Sequence, residues 1–205
     1  MGGAELDGQR TTIFWNNEKI AMRVISGKYK MRRFDVPRTF KARPTTDFAK
    51  ENLFNVLTNL VDFTAGPRAL DLFAGTGSIS LELLSRGCSQ VVSVEKDREH
   101  YAFILRVMHT VGAEGSQVIR GDVLRYLRDG RGGPFDLIFA DPPYQLPELP
   151  QLPDLILDSG LLGPDGLLIL EHGKTHRFDT HPCFQSHRAY GSVNFSLFSA
   201  SAESQ

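Results

Sequence analysis

Two glycines separated by one residue stand where an apolar strand gives way to a helix. The run Ala69–Ser78 reads ALDLFAGTGS, and Gly75 and Gly77 remove side chains where the backbone must turn sharply and let a ligand approach. Such a turn is a weak signal alone, because many strand–helix turns carry glycine for packing. The third glycine of a dinucleotide fingerprint would fall at Ser80, so the loop does not favour NAD or FAD.

Three acids indicate which ligand would suit this loop instead. Asp71 precedes it and suits an ammonium group better than a pyrophosphate. Glu95 ends the next apolar run, where it could accept hydrogen bonds from both hydroxyls of a ribose. Asp122 follows a third run and could bind the amino group of an adenine, although each acid could also be an ordinary helix cap. Together they predict a pocket for an adenosine with an amino-acid tail and no phosphates.

The tetrapeptide Asp141-Pro142-Pro143-Tyr144 follows another apolar run, Phe135–Ala140. Its prolines stiffen the loop and donate no backbone hydrogen bonds. A carboxylate, a free carbonyl and an aromatic face are thus held beside the glycine loop, as an exposed planar NH₂ group requires. The two acceptors would each accept a hydrogen bond from one N–H group and so turn the nitrogen lone pair towards an electrophile. The alternative is a proline-rich turn that only closes a strand.

These motifs need a scaffold that gathers the ends of several strands. From Pro67 onward, short apolar runs alternate with longer amphipathic ones, which is typical of parallel βαβ units in a doubly wound sheet. Ligands bind such sheets beyond the carboxyl ends of the strands. The predicted strands are Ala69–Phe73, Val91–Glu95, Gln117–Arg120, Phe135–Ala140 and Leu167–Glu171, with helices near 78–87, 97–112, 122–129 and 151–160, and an antiparallel pair over 183–190 and 193–199.

The region before Pro67 has a different character. Met22–Gly27 and Arg33–Val36 are predicted to pair as short strands, and a helix is predicted over 46–61. Residues 22–50 carry nine basic and two acidic side chains, although the whole chain has a net charge of −1. A basic arm on an acidic body indicates a polyanionic partner; the alternative is a solvated surface hairpin.

Length and composition exclude several classes of protein. The 205 residues suffice for one domain with a small appendage, and 41% of them are hydrophobic. The apolar runs are far shorter than the roughly 20 residues that span a bilayer, and the first ten residues do not read as a secretory signal. Two cysteines, Cys88 and Cys183, leave no disulfide framework, so we expect a cytoplasmic protein.

Taken together, the motifs resemble those of the class I S-adenosylmethionine-dependent methyltransferases, and more narrowly the RsmD-type ribosomal RNA guanine-N2 methyltransferases of bacteria. The resemblance covers roughly residues 22–199 and is most specific in RPTTDFAKENLFNVL, residues 43–57. It implies an α/β, Rossmann-like fold: a mostly parallel seven-stranded sheet with an antiparallel last strand, plus an N-terminal β-hairpin and helix. The expected divisions are an N-terminal extension over 1–21, a basic hairpin and helix over 22–61, and a catalytic domain over 62–205.

The resemblance also implies the role of each candidate residue. The chain would methylate N2 of a specific guanine in small-subunit (16S) ribosomal RNA, as a monomer, without a metal. The residues implied to bind S-adenosylmethionine are Pro44, Thr45, Thr46, Asp71, Phe73, Gly75, Gly77, Glu95, Lys96, Asp122 and Val123. Asp141, Pro142, Pro143 and Tyr144 would position the target amine. The basic side chains expected to contact RNA are Arg23, Lys28, Lys30, Arg32, Arg33, Arg38, Lys41 and Arg43.

Other functions are compatible with parts of this pattern. DNA adenine-N6 methyltransferases share the tetrapeptide but normally add a target-recognition region, for which this chain has no spare residues. Protein glutamine methyltransferases favour Asn at the position of Asp141. A non-catalytic RNA-binding module would need a broken cofactor pocket, and none is evident. The histidines and cysteine between His172 and His187 fit no tight zinc template.

Overall fold

Nine strands and five α-helices make up the described part of the chain. The computed structural model describes residues 21–40 and 47–200. In chain order the elements are β1 (Ala21–Arg23), β2 (Arg33–Asp35), α1 (Asp47–Leu60), β3 (Arg68–Leu72), α2 (Ser78–Arg86), β4 (Gln90–Glu95), α3 (Arg98–Val111), β5 (Ser116–Arg120), α4 (Val123–Asp129), β6 (Phe135–Ala140), α5 (Leu152–Leu157), β7 (Leu162–His172), β8 (Phe184–Tyr190) and β9 (Val193–Ser199).

Seven of these strands form one sheet, in the order β5-β4-β3-β6-β7-β9-β8. The first five are parallel, whereas β9 runs antiparallel to both β7 and β8. The chain moves from β3 towards one edge of the sheet and returns to start β6 on the other side of β3. Strand order therefore reverses between β3 and β6, and a ligand-binding crevice is expected outside their carboxyl ends. This topology confirms the Rossmann-like fold and the antiparallel last strand.

Side chains alternate across the sheet and build a core on each face. On one face, the hairpin β1–β2 and helices α1, α2 and α3 cover residues such as Leu137, Phe139 and Ile169. On the other face, α4 and α5 cover residues such as Ile138 and Leu168. The basic hairpin thus packs against the seven-stranded sheet through the same layer as α2, the helix that follows the glycine loop.

Two strands differ from the predicted bounds by more than one residue at an end. β7 begins at Leu162 rather than Leu167, because Leu162 already pairs with Phe135 ahead of an irregularity in the β6–β7 ladder. β1 ends at Arg23 rather than Gly27, since the amides of Ile25 and Ser26 leave the ladder and donate to a side chain of α2.

That side chain is Glu82, which is fully buried and anchors the hairpin. Its carboxylate accepts the Ile25 amide at 2.7 Å and the Ser26 amide at 3.0 Å. Arg86, one turn further along α2, donates its Nε to the same group at 2.8 Å. Two backbone amides and a guanidinium therefore compensate for the burial of this charge.

Lys50 extends the network from α1. It is 1% exposed, with Nζ 3.9 Å from Glu82 Oε2 and 3.0 Å from Ser78 Oγ, and it also donates to the carbonyl of Arg23. Burial lowers the pKa of Lys50, while the nearby Glu82 carboxylate acts in the opposite direction. Hairpin, α1 and the first turn of α2 thus meet at one buried ion pair.

None of the helices in the two described ranges has the length and apolar character of a membrane span.

Replacing Glu82 by glutamine should lower the urea concentration at which the protein unfolds. Glu82→Gln removes the negative charge beside Lys50 and leaves one of the Ile25 and Ser26 amides facing an NH₂ group, which cannot accept its hydrogen bond. Removing one partner of a buried ion pair typically costs about 3–5 kcal/mol. Urea unfolding should show a loss of that order, whereas the exposed Glu51→Gln should stay within about 0.5 kcal/mol. A Glu82→Gln protein as stable as the wild type would show that the junction is not a major support of the fold.

Candidate active site at the carboxyl ends of the parallel strands

The glycine loop leaves β3 at its carboxyl end and turns into α2. Phe73, Gly75 and Gly77 adopt positive φ angles of 61°, 54° and 72°. A β-carbon on Gly77 would lie 3.0 Å from Ile104 Cγ1, whereas one on Gly75 would meet only the Phe73 carbonyl, at 3.8 Å. Gly77 is therefore confined by helix α3, while Gly75 faces open space in which a ligand could approach the backbone.

Asp71 lies beneath this loop and is 1% exposed. Its Oδ2 accepts the Ser80 amide at 3.0 Å and also the Ser80 hydroxyl. Burial raises the pKa of Asp71 to about 7, although both hydrogen bonds from Ser80 act in the opposite direction. A cation placed close to this carboxyl group would favour its ionised form. Direct binding of an ammonium group by Asp71 stays a prediction.

Glu95 ends β4 and reaches across to the loop. It is 8% exposed, with Oε2 accepting the Gly75 amide and Oε1 accepting the Asp97 amide, both at 2.7 Å. The Gly75 amide, which could otherwise meet a phosphate, is therefore occupied by a carboxylate. Each oxygen of Glu95 keeps a second lone pair for a further donor, such as a hydroxyl.

Asp122 caps helix α4, which is the alternative to adenine binding that the sequence left open. Its Oδ1 accepts the Arg125 amide at 3.2 Å, at the start of α4. Its Oδ2 pairs with Lys96 at 3.2 Å, and both side chains are well exposed. Val123, the first residue of α4, is 3% exposed. These three residues follow β4 and β5 at the same edge as Glu95.

The Asp141 tetrapeptide is fastened directly to the glycine-loop strand. β3 and β6 are adjacent and parallel, with Leu72 paired to Ala140, and the Asp141 amide donates to the Leu72 carbonyl at 3.3 Å. Pro142 is buried while Pro143 is exposed. The Asp141 side chain makes no hydrogen bond to the described residues and is therefore available to an incoming donor.

Glu171, which is not among the residues predicted from the sequence, joins this group. It lies near the end of β7, is 5% exposed, and accepts the Tyr144 hydroxyl on Oε1 at 3.0 Å. The Tyr144 ring is 39% exposed and lies against Gly173, where a β-carbon would come within 3.2 Å of it. The signal in the sequence is position: Glu171 ends the predicted strand Leu167–Glu171, just as Glu95 ends its own.

The two acids at the ends of β6 and β7 share a poorly solvated environment. Burial raises the pKa of Glu171 to about 7, with the Tyr144 hydrogen bond acting against that rise. Burial also raises the pKa of Asp141 well above its usual range, and repulsion from Glu171 adds to the effect. A hydrogen-bond donor bound between these groups would stabilise their ionised forms.

Several predicted site residues lie outside the described residues, and one is engaged by another side chain of the protein. Pro44, Thr45, Thr46, Lys41 and Arg43 belong to the range 41–46, which the structure does not describe. Arg23 is half-buried and pairs with Asp47 at 2.8 Å, so it is engaged within the protein. The remaining basic side chains of the hairpin are exposed: Lys28, Lys30, Arg32, Arg33 and Arg38.

Three histidines from the end of β7 onward form hydrogen bonds to groups of the protein. His172 lies between Gly173 O and Ser196 Oγ, His187 contacts Asn194 Oδ1, and His181 contacts Asp154. Within residues 21–40 and 47–200, no three His, Cys, Asp or Glu side chains are arranged to hold a metal ion.

Solved structures of methyltransferases share this architecture. The putative methyltransferase yhhF from Escherichia coli aligns with a TM-score of 0.76 at 28% identity, over 89% of this chain and 99% of that one. A putative methylase from Haemophilus influenzae aligns with a TM-score of 0.71 at 27% identity, over 88% and 98% of the two chains. The strand order, the glycine loop and the Asp141 tetrapeptide define a Rossmann-like methyltransferase.

The chain belongs to the RsmD family, described as "Conserved hypothetical protein 95", which residues 22–199 match. It is 30% identical over 187 residues to "Ribosomal RNA small subunit methyltransferase D" of Escherichia coli strain K12, over 90% of this chain and 92% of that protein. It is 37% identical over 156 residues to "Putative rRNA methyltransferase YlbH" of Bacillus subtilis, over 75% and 83% of the two chains. The family resemblance drawn from the sequence is thereby confirmed.

Proposed function

We propose that this protein transfers a methyl group from S-adenosylmethionine to the exocyclic N2 of a guanine in small-subunit (16S) ribosomal RNA. The observation that carries the proposal is the hydrogen bond from the Asp141 amide to the Leu72 carbonyl. It holds an amine-binding motif beside the glycine loop, so that donor and acceptor of the methyl group would meet at one edge of the sheet. Holding two reactants in the right geometry can contribute about 7–11 kcal/mol to a reaction of this type.

The residues around the glycine loop fit S-adenosylmethionine better than a phosphorylated cofactor. Asp71, Glu95 and Asp122 place three carboxyl groups along this edge, which would repel a pyrophosphate. The Gly75 amide already donates to Glu95. An ammonium group, a ribose and an adenine suit these acids, and the space beside Gly75 leaves room for the chain that joins them.

At the reaction centre, the chain's own residues orient the amine and receive its proton. S-adenosylmethionine, when bound, supplies the electrophilic methyl group. The Asp141 carboxylate and a carbonyl of the proline motif would accept hydrogen bonds from the two N–H groups of the amine, while Tyr144 stacks on the base. The amine nitrogen must lose one proton when it is methylated, and the Asp141 carboxylate would take that proton.

Ribosomal RNA is the substrate that the relatives and the charge pattern favour. Two relatives that match most of this chain are named as ribosomal RNA methyltransferases, one of them for the small subunit. The hairpin that carries the exposed basic side chains shares one apolar core with α2, the helix that follows the loop that would bind the cofactor. Phosphate contacts of this kind give affinity, and the base would be turned out of its stack into the Asp141 pocket.

Transfer of labelled methyl tests the proposal. Small ribosomal subunits from cells that lack this gene, stripped ribosomal RNA, DNA and protein are offered side by side. We expect label in small-subunit RNA that digests to N2-methylguanosine. Label that appears only in DNA, as N6-methyladenine, or only in protein would overturn the substrate.

An Asp141 variant separates chemistry from cofactor binding in this assay. Asp141→Ala should reduce turnover by about 100-fold or more, because the amine loses an orienting acceptor. S-adenosylmethionine affinity should stay within a few-fold of the wild type. Asp165→Ala, which changes an exposed aspartate near the start of β7, is the matched control and should retain activity. Loss of cofactor binding in Asp141→Ala would contradict the role given to this residue.

Charge reversal on the hairpin tests the RNA-binding surface. Arg32 and Arg33 are exposed, so the double variant Arg32→Glu, Arg33→Glu should weaken RNA binding at least tenfold at low salt. The slope of affinity against salt should also become shallower, because fewer counterions are released. Reversal of the exposed Arg128 and Arg131, beyond the opposite face of the sheet, should have a smaller effect. Unchanged RNA affinity in the hairpin variant would exclude the hairpin from the interface.

A further inference from the structure

One oxygen of the buried Glu171 carboxylate lacks a hydrogen-bond donor. The side chain is 5% exposed and Tyr144 donates to Oε1, but Oε2 has no partner within residues 21–40 and 47–200. Buried polar atoms in folded proteins almost always have a partner, so an orphan of this kind requires an explanation. Glu171 Oε2 would gain its donor from a molecule that enters the site.

Register places this oxygen beside the residue that would hold the amine. β6 and β7 are parallel, with Phe139 paired to Ile169 and Ala140 to Leu170, so Asp141 and Glu171 are the next neighbours on one face. Asp141 has a side chain free of hydrogen bonds within the described residues, and Tyr144, from the same loop, fixes the other oxygen of Glu171. Two carboxyl groups are thus presented together to a ligand edge that carries adjacent donors.

We propose that Glu171 determines base specificity by accepting the N1–H of the target guanine while Asp141 holds the N2 amine. This rests on the proposed function. Guanine carries N1–H directly beside its N2 amine, whereas adenine presents a lone pair at N1 beside its amine. A carboxylate at the Glu171 position would bind the first edge and repel the second. Reading of a flipped base through its Watson–Crick edge is the usual basis of such selectivity.

The electrostatic environment agrees with this assignment. Glu171 has a pKa of about 7 because it is buried, so an N–H donor at Oε2 would favour its ionised form. The Tyr144 hydroxyl already supports that form through Oε1. A protonated Glu171 would instead donate a hydrogen bond and select a base with a lone pair at N1. The two protonation states therefore predict opposite base preferences.

Replacement of the target guanine by 2-aminopurine tests the proposal. This analogue keeps the 2-amino group but carries a lone pair at N1. Both RNAs are offered to the wild type as free RNA or as a reconstituted subunit, whichever form the labelled-methyl assay identifies as the substrate. We expect kcat/KM to fall between about tenfold and 150-fold for the 2-aminopurine RNA, as for loss of a hydrogen bond to a charged group.

The variant Glu171→Gln links that discrimination to this side chain. A glutamine amide can accept N1–H or donate to an N1 lone pair, so the ratio of kcat/KM between the two RNAs should collapse to within about threefold. Glu114→Gln, at an exposed site, should keep the wild-type ratio. Cofactor affinity and thermal unfolding of Glu171→Gln show whether the site is intact, and the wild-type comparison stands even if this variant does not fold.

The outcomes separate the two proposals. Wild-type discrimination below about threefold, a preference for 2-aminopurine, or a Glu171→Gln variant that slows both RNAs equally would overturn the role of Glu171 while leaving guanine methylation intact. Absence of label in both RNAs would overturn guanine-N2 methylation itself, and the role of Glu171 with it.

Discussion

The buried carboxylate of Glu82 is the interaction on which the arrangement of this protein depends. It binds two amides of the hairpin, pairs with Arg86 on its own helix, and faces Lys50 from α1. Because Lys50 also donates to Ser78, the first residue of α2, the same network reaches the end of the glycine loop. A charge that is costly to bury is thus fully engaged by groups from three separate segments, and the hairpin is held in a defined place against the seven-stranded sheet.

The reversal of strand order between β3 and β6 explains why the candidate site lies where it does. Residues at the carboxyl ends of β3, β4, β6 and β7 meet at one edge of the sheet, although they come from distant parts of the chain. Those after β3 and β4 form an environment suited to a cationic, phosphate-free nucleoside. Those after β6 and β7 provide acceptors for an N–H edge. One sheet edge therefore has two complementary halves, joined by the hydrogen bond between Asp141 and Leu72.

Local sequence predicted the fold, and it also predicted that the glycine loop and the proline motif would follow strands of the sheet. The glycine loop and the proline motif are continuous in sequence and follow apolar strands, so their positions could be inferred from pattern alone. The sequence shows only that Glu171 ends a predicted strand, and the pairing of β6 with β7 is needed to show that it lies beside Asp141. Lys50 and Glu82 look like surface charges on amphipathic helices, and only tertiary packing shows that they are buried. For the same reason β1 is shorter than its apolar run predicts: Glu82 takes the amides that would have continued the ladder.

The most direct test of this account is a crystal structure of the protein with S-adenosylhomocysteine and an RNA that contains the target guanine. We expect the guanine N2 to lie within hydrogen-bond distance of Asp141 and to face the cofactor sulfur, with the homocysteine part of the cofactor beside Gly75. The adenosine should lie along Glu95 and Asp122. A base bound with its amine turned away from the sulfur, or a cofactor bound elsewhere than at the ends of β3 and β4, would contradict it.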